Sequence, residues 1–379
     1  MGTYRHGPRS RARDRAWVGM SLAALAVLGA MVAGASGGAA GEVRLGADQQ
    51  QGAPGSWSEA ARLPVPVTNN AVAAVSMKGG DFLFSFSGLD STRTHSGIHS
   101  RAFRYDAARD EWSEVRGPAV GRIAATAQAV RGKIYLFGGY TVAADGSEKT
   151  LPNVDIYDPL DDSWSAGASI PVPVDDAVSG VWNDSLIYLI SGWHDRDNVR
   201  NVQVYDPFSD TWWQATPIPG PRVFGHSGTI AGNAIIYIDG VRRFPTRPRY
   251  RITGAAYLGA IDLADPTKIE WRELPPHPGP SLYRMAAAAY GSRVIFAGGT
   301  TNPYNYDGLG YDGEPSAPSR TVFAFNVESS AWETWPSKPL ASMDHRGFAV
   351  AGTRLYILGG MTEHQRVTAR VQLLEPDAH

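Results

Sequence analysis

The sequence contains no cysteine. Disulfides and cysteine-ligated metal are therefore excluded, and packing alone must hold the chain together. Long helical periodicity is also missing, which turns the reading toward an all-β protein rich in turns. Charge of one sign is scarce: the formal net charge is −2. Neither nucleic acid nor an anionic membrane surface is expected as a bulk partner. No His-Glu-x-x-His motif, no EF-type spacing and no serine nucleophile elbow occurs, so no metal site, no metal-dependent or serine-nucleophile chemistry and no cofactor is expected.

Glycine (42) and proline (26) are abundant, and 43% of the chain is hydrophobic, enough for a sizeable core. The N-terminus is a different material. A basic segment, RHGPRSRARDR, precedes the apolar AWVGMSLAALAVLGAMVAGA, and Ala33-Gly34-Ala35 offers a small-residue cleavage site. Residues 1–35 read as a signal peptide, or as an anchor if uncleaved, since the apolar run is about as long as a membrane span needs. Only in that second case is a membrane a partner. Periplasmic or secreted localisation follows. Removing its five arginines and one aspartate takes the formal charge from −2 to −6. Residues 36–55 read as a flexible linker.

Beyond it the chain repeats. FLFSFSG, IYLFGG, IYLISG, IIYIDG, VIFAGG and LYILGG end at Gly88, Gly139, Gly192, Gly240, Gly299 and Gly360. An aromatic residue seven positions before a tryptophan follows in Tyr105/Trp112, Tyr157/Trp164, Tyr205/Trp212 and Phe325/Trp332, with an Asp-rich turn between the members of the first three pairs. The fourth repeat diverges, with Ile261 at the aromatic position and a longer turn before Trp271. The last repeat stops after VQLLEP without its tryptophan strand, while SWSEAARLPVPV (56–67) parallels SWSAGASIPVPV (163–174). Trp57 should therefore supply the outer strand of the last unit.

This pattern of apolar strand, Gly-Gly, Tyr and Trp resembles the kelch repeats over residues 56–376. The resemblance implies an all-β, six-bladed kelch β-propeller over 56–379, closed by an N-terminal strand that completes the last blade. Some kelch-like propellers are radical copper oxidases built on a Tyr–Cys crosslink, which this cysteine-free chain cannot form.

In such a blade the loop after each glycine shares a face with the residues before each innermost strand, so both sets should meet at one mouth of the channel. There the sequence gathers Arg122, Asp176, Trp193, His226, Arg284, His345 and Arg346. It adds two long insertions: VRRFPTRPRYR with Arg247, and a loop with Tyr304, Tyr306, Asp307 and Glu314. Arginine matches carboxylates and tyrosine stacks on sugar rings, so a small, anionic carbohydrate is the expected partner. Arg122, Arg247, Arg284, Arg346, His345, Tyr304, Tyr306 and Trp193 are the candidate binding residues; Glu314, Asp176 and His226 are the candidate acids and bases, unranked. A solvated rim that binds a glycan or protein without catalysis is the alternative.

The final third, from VIFAGG through MDHRGFAVAGTRLYILGG, is similar to exported bacterial kelch proteins related to N-acetylneuraminate epimerase, the sialic acid mutarotases. That likeness implies mutarotation by a general acid and base, with Arg346 and Arg247 as arginines of the substrate site. The family is expected to carry a glutamate directly after a mid-propeller glycine, whereas here Gly240 is followed by Val241.

Overall fold

A computed structural model describes residues 55–377. The signal or anchor segment and all of the linker except Gly55 lie outside these residues. Six four-stranded antiparallel sheets follow one another along the chain. Their innermost strands are Ala71–Met77, Thr126–Val130, Val178–Trp182, Ser227–Ala231, Ala286–Tyr290 and Ala349–Ala351. Small residues dominate them because six strands must converge on one axis. No helix among the described residues is long and apolar enough to cross a membrane.

The ring closes as the repeat count requires. Ser56–Ala60 pairs antiparallel with Val371–Glu375, with Trp57 opposite Leu374. In four blades the aromatic–tryptophan spacing places the two residues directly opposite one another, Tyr105 on Trp112, Tyr157 on Trp164, Tyr205 on Trp212 and Phe325 on Trp332. Their ring centroids lie 4.8–5.1 Å apart. The tryptophans also clasp the blades. The indole N–H groups of Trp57, Trp112, Trp164, Trp212, Trp271 and Trp332 donate to carbonyls of Pro336, Ala61, Arg116, Ala168, Thr216 and Pro275. These acceptors lie in the segments that lead into the blades, so apolar packing and a directed bond act together. The turn aspartates cap: Asp110, Asp162 and Asp210 accept from Tyr105, Tyr157 and Tyr205 and from a backbone N–H of the neighbouring segment.

Blade four departs from the sequence alignment. Trp271 faces Gly259, not Ile261. A Cβ at Gly259 would meet the indole at 2.5 Å, so glycine makes the room, and Tyr237 supplies the edge-on aromatic partner at 5.6 Å.

The glycine signature also has a physical reason. The residue before each signature glycine sits at φ of 54–78°, where Ser87, Ser191 and Asp239 are tolerated beside Gly138, Gly298 and Gly359. The signature position itself must be glycine: a Cβ at Gly139 would meet the Ile123 carbonyl at 2.6 Å.

Candidate functional site

Six equivalent bridges confirm that the two sets of loops share a face. Thr68, Ile123, Asp175, Phe224, Tyr283 and Met343, before the innermost strands, pair with Leu89, Tyr140, Trp193, Val241, Thr300 and Met361, which follow the glycines. The next residue in each blade, Asn69, Ala124, Asp176, Gly225, Arg284 or Asp344, adopts a left-handed conformation with φ of 51–69°. These six form a belt around the channel. The N–H groups of Asp176, Gly225, Arg284 and Asn69 donate to the carbonyls of Ala124, Asp176, Gly225 and Asp344. Ala124 N–H is taken by the Asn69 side chain at 2.6 Å.

The belt turns charged side chains inward. Arg284, fully buried, holds Asp176 with Nε at 3.1 Å and Nη2 at 2.6 Å, and reaches Asp344 at 3.0 Å. Arg346 also binds Asp176, and its Nε and Nη2 donate to Asn69 Oδ1 at 2.8 and 2.6 Å. Two guanidinium groups thus face two carboxyl groups, and the cluster is internally neutral. The Arg284 guanidinium lies against the rings of Tyr283 and Tyr304 at 4.7 and 5.1 Å. Burial opposes ionisation of Asp176, but Arg284 and Arg346 outweigh it and hold the carboxyl below the usual carboxylate range. Its neighbour Asp175 goes the other way: burial and the Asp176 charge push it well above that range. The protonated form of Asp175 is thereby favoured, and its carboxyl accepts from Thr150 Oγ1 at 2.7 Å.

Asp175 faces a small cavity of about 80 Å³ lined by Tyr140, Glu148, Asp175, Asp176, Trp193, Phe224, Tyr250, Arg284, Asn305 and Tyr311. The long blade-five loop covers it and is held from the other blades. Arg93 Nη1 donates to the Asp307 carbonyl at 2.5 Å, Tyr140 Oη to Asn305 at 3.1 Å, and Gln365 to the Ser316 carbonyl at 2.9 Å. Asn305 Nδ2 donates to Glu148, and Tyr311 stacks on Tyr250 with centroids 4.0 Å apart. The Asn305 carbonyl takes Arg284 Nη1 at 2.6 Å.

The candidates therefore scatter. Asp176, Arg284 and Trp193 line the cavity, Tyr304 packs fully buried beneath Arg284, and Tyr306 packs beside Tyr140 in the adjoining cluster of Leu89 and Ile123. Arg346 lies within the channel. Arg122 does not reach the mouth: its Nη2 pairs with Asp155 at 2.5 Å and its remaining bonds go to Val120 and Gly138 carbonyls, so it braces its own blade. Glu314 and Arg247 are exposed on loop tips. His345 is buried with Nε2 2.9 Å from Ser342 Oγ, a hydroxyl that also accepts from Lys338 Nζ and Gln372 Nε2. That hydroxyl proton must point at Nε2, so His345 is a neutral structural ring. His226 is buried with Nε2 2.9 Å from the Ile190 carbonyl.

Val241 is fully buried among Phe224, Tyr283, Met343 and Met361. No acid or base stands there. Glu148, Tyr250 and Asn305 escaped the sequence reading, although each lies in a loop after a signature glycine. The length of those loops was the only available signal. Among the described residues no group of three or more potential ligands is placed to hold a metal.

Burial lowers the His226 pKa to about 4, against about 6.5 in an unfolded chain. As pH falls below 6.5 the unfolded chain takes up this proton first, so stability drops until about pH 4, by about 3 kcal/mol at 1.36 kcal/mol per unit. Urea unfolding of His226→Gln across this range should show a slope reduced by about one proton. An unchanged slope would contradict a buried neutral ring.

Residues 121–171 match the Kelch motif family. Kelch-like protein terF of Aspergillus terreus is 29% identical over 143 residues, 36% of this chain and 30% of that protein. Kelch-like protein 15 of Homo sapiens is 23% identical over 289 residues, 75% of this chain and 46% of that protein. The chain spans less than half the length of these curated relatives. Among solved structures, "Structure of YjhT" superposes with a TM-score of 0.66 at 18% identity, covering 82% of this chain and 95% of that one; at that identity the likeness concerns the fold. Repeat count and closing strand agree: the chain is a six-bladed β-propeller that carries a Kelch motif.

Proposed function

We propose that this is an exported saccharide-binding propeller whose mouth receives a sugar ring beneath the blade-five loop, and that it mutarotates an acidic or N-acetylated sugar. The observation that carries the reading is the buried Asp175 carboxyl in one cavity with a second carboxyl group, Glu148, among Trp193, Tyr250 and Tyr311. Ring opening and reclosure needs one group to take the anomeric hydroxyl proton and another to protonate the ring oxygen. Glu148 is assigned the first task and Asp175 the second. The aromatic side chains supply stacking walls.

A cavity of about 80 Å³ is smaller than the roughly 300 Å³ from which ligand pockets usually start, so the loop must swing aside for entry. That motion withdraws the Asn305 carbonyl from Arg284 Nη1 and frees the donor for a ligand carboxylate. Arg284 then serves the substrate while Asp176 keeps its guanidinium plane fixed.

A second reading, binding without catalysis, is favoured by Val241, which leaves that position without an acid or base. Proton NMR of freshly dissolved N-acetylneuraminate α-anomer at mildly acidic pH separates the two. Acceleration toward the β-anomer that falls about 100-fold in Asp175→Asn supports catalysis. Saturation transfer to the sugar without acceleration leaves a binding propeller. Neither signal at micromolar protein overturns the saccharide reading for this sugar.

A further inference from the structure

A cluster of arginines without ion-pair partners lies not at the cavity but on the neighbouring rim. Strands Val241–Arg243 and Tyr250–Ile252 form a hairpin, with Arg242 opposite Arg251 and Arg243 opposite Tyr250. Tyr250 helps line the mouth cavity; Arg242 and Arg251 share the other side. Arg242, Arg243, Arg247, Arg249 and Arg251 are all exposed, and the hairpin contains no carboxylate. None of the five makes an ion pair within 4.0 Å among the described residues. Beside the hairpin runs a groove of about 620 Å³, walled by Arg200, Arg222, Arg242, Arg243, Phe244 and the prolines 219, 221 and 245. Its single carboxylate, Asp197, is matched by Arg222 at 3.2 Å.

We propose that this groove between blades three and four binds an anionic polysaccharide, a chain bearing carboxylates on sugar units. Arg242 and Arg243 wall the groove, and Arg247, Arg249 and Arg251 stand exposed on the same hairpin; guanidinium groups without lysine suit planar two-oxygen anions rather than diffuse charge. Arg242 and Arg251 lie over the Phe244 ring at 4.8 and 4.5 Å; Arg251 Nε and Nη2 donate to the Pro248 and Arg247 carbonyls at 3.1 and 3.3 Å, which leaves Arg242 as the stacked guanidinium that presents its N–H edges. The same stacking occupies the aromatic surface that a nucleic-acid base would need. A peptide main chain is equally poorly served. The proline walls have no N–H groups, and Arg200 already takes the carbonyls of Ile218, Pro219 and Gly220. This surface is distinct from the mouth cavity, so it stands or falls separately from mutarotation.

The test is titration of the full chain against polygalacturonate at two salt concentrations, with dextran, poly-L-glutamate and single-stranded DNA as controls. Binding is expected to polygalacturonate and not to dextran, to weaken steeply with salt, and to fall at least tenfold in an Arg242→Gln/Arg243→Gln double variant. Both side chains are exposed, so an unchanged melting temperature will show that the fold survives. Glu148→Gln, on the cavity wall that blade two supplies, should leave polygalacturonate binding intact. No binding to polygalacturonate overturns the proposal, as does binding insensitive to the double variant. Equal binding of poly-L-glutamate or DNA replaces it with a non-selective cationic surface.

Discussion

Asp176→Asn is expected to lower the unfolding free energy by about 3–5 kcal/mol, the usual cost of removing one partner from a buried ion pair. Asp175→Asn, one residue earlier, should leave stability unchanged or raise it at neutral pH. The two side chains are identical and buried side by side, yet their surroundings oppose each other. Of the two, only Asp176 engages Arg284 and Arg346. Removing its charge leaves two buried guanidinium groups with only Asp344, Asn69 and the Asn305 carbonyl as partners.

Burial and the Asp176 charge raise the Asp175 pKa and so favour its protonated form. The unfolded chain releases that proton above about 3.8, so this carboxyl disfavours folding increasingly as pH rises. Asparagine abolishes that cost, and any gain should vanish below pH 4. Urea unfolding of both variants at pH 7 and pH 4 provides the measurement. Equal destabilisation at pH 7 would refute the opposed assignment. An Asp175→Asn protein that is stable but fails to mutarotate would separate the proton donor's chemistry from its structural place.

Starting the chain at residue 62 instead of 55 is expected to lower the melting temperature by at least about 10 °C, at roughly 2–4 °C per kcal/mol for domains somewhat smaller than this one. The missing strand, Ser56–Ala60, supplies the fourth strand of blade six through five paired residues, and the Trp57 indole bond to the Pro336 carbonyl that clasps blade six to blade five. Without it Val371–Glu375 becomes an open sheet edge, and unpaired edges invite association. Calorimetry with light scattering during the melt checks both effects. A shortened chain that melts within about 2 °C of the longer one would mean that the ring does not depend on this closure.

Much of the architecture was legible because each repeat carries its own constraints. Trp57 announced the closure, since a tryptophan strand at the front is needed only when the last repeat lacks one. The glycine signature located the mouth, since a backbone that must pass within contact of the preceding segment leaves no space for a side chain. The same local logic failed at Ile261, where a longer turn shifted the register and Gly259 took the position opposite Trp271.

The site was far less legible. Arg122, Arg284 and Arg346 look alike along the chain, each a few residues from an innermost strand. One braces its blade through Asp155, and the other two share Asp176 inside the channel. Glu148 and Asn305, 157 residues apart, meet only because a blade-five loop crosses the mouth. Local sequence determined the repeat, the strands, the number of blades and the closing strand, because strand pairing and tight turns depend on neighbours within one unit. Only the tertiary structure decided which carboxyl is charged and which arginines remain available, because desolvation and ion pairing depend on side chains that converge from separate blades.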